Sequence, residues 1–285
     1  MVARERASTV RTELTPAHPK EEEEWQPILL RLPRPLRRVS RYQPLVLVRT
    51  QAVTIVGLLV LFLCLQFLIP ARLVIGGMGA AGRPSVAVGI LLTFLWLVSA
   101  ARQHHLPRGW QPIRWVIGFF VVVQAVGYVV GFDRLPSPAQ ASAGTRWLLV
   151  VTAIAGVTLS VADGVRTRAE LDRVLKALVT LATMMSVVGV LQFLGIIDLV
   201  TYIRIPGLSF NYDVLGVALR GAGIPRVAGT ANHYIEFGVV LALVLPVALH
   251  YALFAPAGPG RWWRWVAVGI IAMGIPLSVS RSAIV

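Results

Sequence analysis

The stretch PIRWVIGFFVVVQAVGYVVG, residues 112–131, decides the fold class of this chain. It holds a single charged residue, Arg114, and as a helix it is long enough to cross the roughly 30 Å hydrocarbon layer of a bilayer. Lipid offers no hydrogen bonds to the backbone, so such a segment crosses as a helix. Gly127 and Gly131 within it form a GxxxG pair, which predicts a close contact with another helix.

Six further apolar segments of similar length predict an all-α, polytopic bundle of about seven transmembrane helices. Of the 285 residues 56% are hydrophobic and 14% are charged, which excludes an ordinary soluble domain. The predicted organisation is a tail over residues 1–43 and a membrane domain over residues 44–285. The predicted crossings are 45–69, 85–101, 112–131, 147–162, 174–195, 235–254 and 265–284.

The tail sets the predicted orientation of the chain. It mixes Glu21–Glu24 with prolines and scattered arginines and has no apolar period, which predicts a disordered cytoplasmic segment. Most of the 27 Lys and Arg residues fall in this tail and in alternate loops, so the positive-inside rule places the N-terminus in the cytoplasm. The same rule explains most of the net charge of +14, and we expect no nucleic-acid partner. The external face then carries the longest loop, residues 196–234.

Two polar motifs flank the last two apolar segments, and both fall on the external face in this topology. The first is Arg226–Phe237, and the second is Ser280-Arg281-Ser282. A guanidinium group near a membrane interface is costly without an anionic partner. Paired arginines suit a phosphate or pyrophosphate, because the planar guanidinium matches its oxygens. We therefore predict that Arg226 and Arg281 bind the pyrophosphate of a lipid-linked substrate.

Neighbouring polar residues are predicted to support this site. If Asn232 already belongs to the helix that enters the membrane, it shares a face with Glu236, four residues on. Glu236 either orients a binding arginine or forms a purely structural pair with Arg226 or Arg281. The predicted supporting residues are Asn232, Glu236, Ser280 and Ser282, and the possible additional phosphate ligands are Arg204 and Arg220.

These motifs together resemble the O-antigen ligase/polymerase family. The resemblance rests on Arg226–Phe237, on the following apolar segment with Pro246, on a short basic loop, and on Ser280-Arg281-Ser282. Pro70-Ala71-Arg72 and the glycine-rich stretch Val74–Arg83 resemble the first external loop of that family. The resemblance implies a GT-C-like fold in the bacterial cytoplasmic membrane.

Members of that family are glycosyltransferases that pass a glycan from a polyprenyl-pyrophosphate carrier to an acceptor sugar hydroxyl; ligases and polymerases differ in the acceptor. The resemblance implies a polyprenyl-pyrophosphate-linked glycan and membrane lipids as partners, with no cofactor and no metal. It places the donor pyrophosphate at Arg226 and Arg281. The histidine that activates the acceptor lies in a later loop of the family, which we expect beyond Val285, so no catalytic residue is assigned and His233 is not given that role.

Two other functions stay open. A transporter or flippase for lipid-linked anionic substrates could use the same arginines, but it needs polar groups at mid-membrane depth, which the first five segments almost lack. The third possibility is a truncated, inactive membrane protein. The chain stops at Ala283-Ile284-Val285 in an apolar run without a polar flank, so we expect the native protein to continue past Val285.

Overall fold

The computed structural model describes residues 54–102, 111–134, 137–211, 218–220, 224–254, 258 and 260–278. The predicted tail lies outside these residues. The helices of the described part are α1 (Ile55–Leu68), α2 (Pro84–Ala101), α3 (Pro112–Phe132), α4 (Pro138–Gly164), α5 (Arg168–Phe193), α6 (Leu199–Tyr202), α7 (Tyr234–Leu253) and α8 (Arg261–Leu277). The short strands are β1 (Leu73–Val74), β2 (Ser209–Phe210), β3 (Ala218–Arg220) and β4 (Ile224–Arg226).

Five of these helices, α2, α3, α4, α5 and α7, are long and apolar enough to cross a membrane. The predicted class, a helical membrane protein, is therefore confirmed. The described parts of α1 and α8 are shorter, at 14 and 17 residues. The predicted crossings 45–69 and 265–284 reach beyond the described residues, so the number of seven crossings stays a prediction.

Helices α4 and α5 begin several residues before the crossings predicted from hydropathy. Each starts at a capping box, in which two residues exchange side-chain and backbone hydrogen bonds. In α4 the partners are Ser137 and Gln140, and in α5 they are Thr167 and Glu170. Hydropathy marks only the apolar part of a helix, whereas these caps extend the helix through polar residues.

Successive long helices run in opposite directions, so their connections gather at two ends of the bundle. At the first, here called the loop end, α1 and α5 finish and α2 and α7 begin. There β1 and β2 pair antiparallel, with Leu73 opposite Phe210, and join the connection after α1 to the one after α5. At the opposite end, here called the far end, Arg114 near the start of α3 binds Asp163 near the end of α4.

The core that supports the loop end lies among α5, α7 and α8. Phe237, in the first turn of α7, is fully buried and packs on Gly189 of α5. A Cβ atom added at Gly189 would lie 2.5 Å from Cζ of Phe237, so only glycine permits this approach. Leu241 and Ile271 continue the same core toward the middle of the bundle. The start of α7 is therefore held firmly in place against α5.

Small residues also let α2 and α4 approach closely. A Cβ atom added at Gly156 would lie 2.5 Å from the carbonyl oxygen of Gly89, and the Thr93 hydroxyl donates a 2.7 Å hydrogen bond to the Thr152 carbonyl. The GxxxG pair Gly127 and Gly131 behaves differently: nothing in the described part of the chain lies within 4 Å of a Cβ at either position. The helix contact predicted from that pair is thus not made within the described structure.

Replacing Gly156 with alanine should destabilise the protein by about 1–3 kcal/mol, because the added methyl group forces α2 and α4 apart. Thermal unfolding of the purified chain in detergent checks this, with Gly127→Ala as the matched control. The control should leave the unfolding temperature unchanged or raise it slightly, since its methyl group enters open space and alanine favours a helix more than glycine does. Equal effects of the two substitutions would contradict the close α2–α4 packing.

Candidate anion-binding site

The segment before α7 is fixed by hydrogen bonds to two other helices. The Gln192 side chain accepts a 2.9 Å hydrogen bond from the Gly229 amide and donates one of 3.3 Å to the Gly229 carbonyl. The Thr230 hydroxyl donates a 2.6 Å bond to the Phe67 carbonyl at the end of α1. Gly229 has φ +56°, and a Cβ there would lie 2.9 Å from the Met185 carbonyl. The chain therefore enters α7 from a buried, hydrogen-bonded turn.

His233 caps α7, and this corrects the expectation that Asn232 lies on the helix. Its backbone is extended (φ −150°, ψ 149°), and its Nδ1 accepts a 3.2 Å hydrogen bond from the Ile235 amide. Asn232 thus precedes the helix and shares no helical face with Glu236. The two residues still meet, because the Asn232 amide donates a 3.1 Å hydrogen bond to Oε2 of Glu236. Asn232 and Glu236 therefore meet through the backbone amide of Asn232, and not because their side chains are four residues apart on one helix.

Arg226, at the end of β4, is held by an aromatic side chain. Its Nη1 donates a 2.8 Å hydrogen bond to the Tyr234 hydroxyl, and its guanidinium carbon lies 4.8 Å from the centre of the Tyr234 ring. The His233 ring contacts the same tyrosine ring at 3.9 Å. No ion pair joins Arg226 to Glu236 in the described structure. The structural pair between these two residues that the sequence allowed is therefore not formed.

Arg83 joins this group from a distant part of the sequence. It is the N-cap residue of α2, directly before Pro84, and it is half-buried. Burial lowers the pKa of Arg83 from its ordinary value, while the negative charge of Glu236 raises it. The connection after α1 and the start of α7 thus place Arg83 and Glu236 close enough for their charges to interact, although no ion pair joins them in the described structure. Sequence reasoning assigned no role to Arg83.

Three atoms of this group are buried and lack a hydrogen-bond partner among the described residues. They are Nε of Arg83, Nε of Arg226 and Oδ1 of Asn232. A buried polar atom without a partner costs about 1–3 kcal/mol, so unused donors on two cations are an expensive feature. Two arginines and one glutamate also leave a net positive charge. This arrangement suits an anionic ligand whose oxygens accept from the arginines.

The remaining predicted site residues are only partly described. Arg204 is exposed in the connection after α6. The backbone of Arg220 pairs with Ile224 in the β3–β4 hairpin, and its side chain lies outside the described part. Ser280, Arg281 and Ser282 also lie outside it; α8 ends at Leu277, at the loop end. Convergence of Arg226 and Arg281 stays a prediction.

Among the described residues, no cluster of three or more His, Cys, Asp or Glu side chains could hold a metal ion. Comparison with protein-family models, with curated proteins and with solved structures gives no match to this chain. The inference about function therefore depends on the geometry and charge of the loop end, together with the motifs of the sequence.

Proposed function

We propose that this chain binds a polyprenyl-pyrophosphate-linked glycan at the loop end and takes part in glycan transfer of the O-antigen ligase/polymerase type. The observation that carries the proposal is the pair of half-buried arginines, Arg83 and Arg226, each with a buried Nε that donates to no described residue. They lie at one end of an apolar helix bundle, which is the depth at which the phosphates of a membrane-anchored carrier reside. Arg281 is the third proposed ligand, with Ser280 and Ser282 beside it.

In the proposed reaction, the main task of the described residues is to stabilise negative charge on the leaving group. In the proposed transfer the bond between the sugar C1 and the pyrophosphate oxygen breaks, and the acceptor oxygen forms the new glycosidic bond. The acceptor hydroxyl loses its proton to a base, and polyprenyl pyrophosphate leaves. Arginines stabilise the negative charge that develops on the leaving group. Glu236 is proposed to hold Arg83 in position, since its carboxylate acts on that cation.

In the proposed setting the chain lies in the bacterial cytoplasmic membrane with its N-terminus in the cytoplasm and the loop end on the external face. The stack of Arg226 on Tyr234 supports a binding role, because it orients the guanidinium while leaving its Nε unused. A ligand that accepts from this Nε would relieve the cost of its burial. An uncharged lipid could not do so as well.

The proposal is tested by measuring how the purified chain in detergent binds a polyprenyl pyrophosphate, the corresponding monophosphate and the uncharged polyprenol. Affinity should fall in that order. Arg226→Gln should weaken pyrophosphate binding about 10- to 100-fold, the value of one charge-assisted hydrogen bond. Arg134→Gln, which removes an exposed charge at the same end of the bundle, is the control and should change little. Equal affinity for the polyprenol, or equal loss in both variants, would refute the proposal.

Transfer and transport are separated by following the glycan. In membranes from cells that make the protein, transfer converts the donor into free polyprenyl pyrophosphate and an extended acceptor. A flippase would instead move the donor across the membrane with its sugar–pyrophosphate bond intact. Recovery of only the intact donor on the other face would favour transport.

A further inference from the structure

A groove at the far end runs between α5 and α7, well away from the site at the loop end. Arg168, the first residue of α5, and His250, in the last turn of α7, lie at its outer end. Leu171, Leu175 and Val247 line its inner part. Arg168 and Leu175 are separated by two turns of helix, which is about 10 Å along the axis. The outer end of the groove thus carries Arg168 and His250, and its wall toward the middle of the bundle mixes Leu175 and Val247 with Asp172 and Tyr251.

Asp172, the one carboxylate among the described residues that line this groove, already has hydrogen-bond and ion-pair partners in the protein. Asp172 accepts a hydrogen bond from the Tyr251 hydroxyl and forms an ion pair with Lys176. Arg264 lies close by, with its Nη1 3.5 Å from the Tyr251 carbonyl. Lys176 and Arg264 are the cations that act on this carboxylate, and Arg168 lies four residues before it on α5. The groove and its border therefore carry a net positive charge.

Two polar side chains at the outer end are not used by the fold. Arg168 is exposed and makes no hydrogen bond or ion pair with another described residue. His250 is exposed as well, and among the described residues its ring lies near the aromatic rings of Tyr251 and Phe254, at 5.7 and 4.9 Å between ring centres. Both are free to meet a ligand that approaches along the membrane surface.

We propose that this groove binds an anionic phospholipid of the surrounding membrane. Its phosphate contacts Arg168, and the imidazole of His250 supplies a second donor. One acyl chain follows Leu171, Leu175 and Val247 into the apolar layer. A phospholipid fits the groove in charge and in depth. Its negative phosphate lies at the membrane boundary, level with Arg168, and its acyl chain points inward, along the leucine and valine side chains. A cationic residue near the surface favours anionic over zwitterionic lipid.

Native mass spectrometry of the delipidated full chain provides the test. The protein is mixed with equal amounts of phosphatidylglycerol and phosphatidylcholine that carry the same acyl chains. The amount of protein that retains phosphatidylglycerol should be about fivefold the amount that retains phosphatidylcholine. Arg168→Gln should remove most of this preference. Arg173→Gln is the matched control, because Arg173 is also exposed on α5 but does not line the groove.

A second variant tests the inner part of the groove. Leu175→Trp should lower the retention of both lipids, because the indole fills the space of the acyl chain. The proposal is overturned if the two lipids bind equally well to the unaltered protein, or if Arg173→Gln removes the preference as fully as Arg168→Gln. If Leu175→Trp retains both lipids as well as the unaltered protein does, the proposed path of the acyl chain is wrong.

Discussion

Replacing both Arg83 and Arg226 with glutamine should weaken the binding of polyprenyl pyrophosphate by at least about 100-fold, more than either single change. Each arginine offers a charge-assisted hydrogen bond of about 1.5–3 kcal/mol, and the donors in question are buried and unused by the protein. Glutamine keeps a polar side chain of similar reach but carries no charge. Binding of the labelled lipid to the purified variants gives the affinities.

A double-mutant cycle also shows whether the two arginines act on one ligand. It compares the unaltered protein, the two single variants and the double variant. If both contact the same pyrophosphate, the loss in the double variant should differ from the product of the single losses. Arg134→Glu is the control for charge. It lowers the net charge of the loop end by the same two units, through loss of an exposed arginine and gain of a carboxylate, without touching the site. A comparable loss in this control would show that only the overall charge of that end matters.

Asp163→Ala should sharply reduce the amount of folded protein. The Asp163 carboxylate is 1% exposed and accepts hydrogen bonds from Nε and Nη2 of Arg114, at 3.0 and 2.8 Å, and from the Trp96 indole at 2.8 Å. Removing one partner of a buried ion pair costs about 3–5 kcal/mol, because the other charge stays behind in a poorly solvated place. Yield from membranes and the unfolding temperature in detergent measure the effect.

Two comparisons make this prediction specific. Asp133→Ala removes an exposed carboxylate at the end of α3 and should be nearly neutral. Adding Arg114→Met to Asp163→Leu should recover much of the lost stability, since apolar replacement of both partners leaves no buried charge. A double variant as unstable as Asp163→Ala would indicate that the loss has another cause, such as the Trp96 contact.

Part of the candidate site could be predicted from the amino-acid sequence alone. Arg226, Asn232 and Glu236 fall in one short polar run that leads into an apolar helix. In the structure Asn232 is hydrogen-bonded to Glu236 and Arg226 to Tyr234, all around the start of α7. Arg83 lies about 150 residues earlier, and its neighbour Pro84 marks only the start of a helix. No local pattern indicates which arginine will meet Glu236, because that meeting depends on how α2 and α7 are placed in the bundle.

The amino-acid sequence by itself determined the class of this protein, because an apolar stretch such as residues 112–131 can satisfy its backbone in lipid only as a helix. It also determined the alternation of helices and polar loops. Only the tertiary structure decided that Gly156 faces a neighbour while Gly127 faces open space, and that Arg83 lies near Glu236. Those outcomes depend on close packing between helices, where the rotation and depth of each helix are fixed by side chains far apart in the sequence.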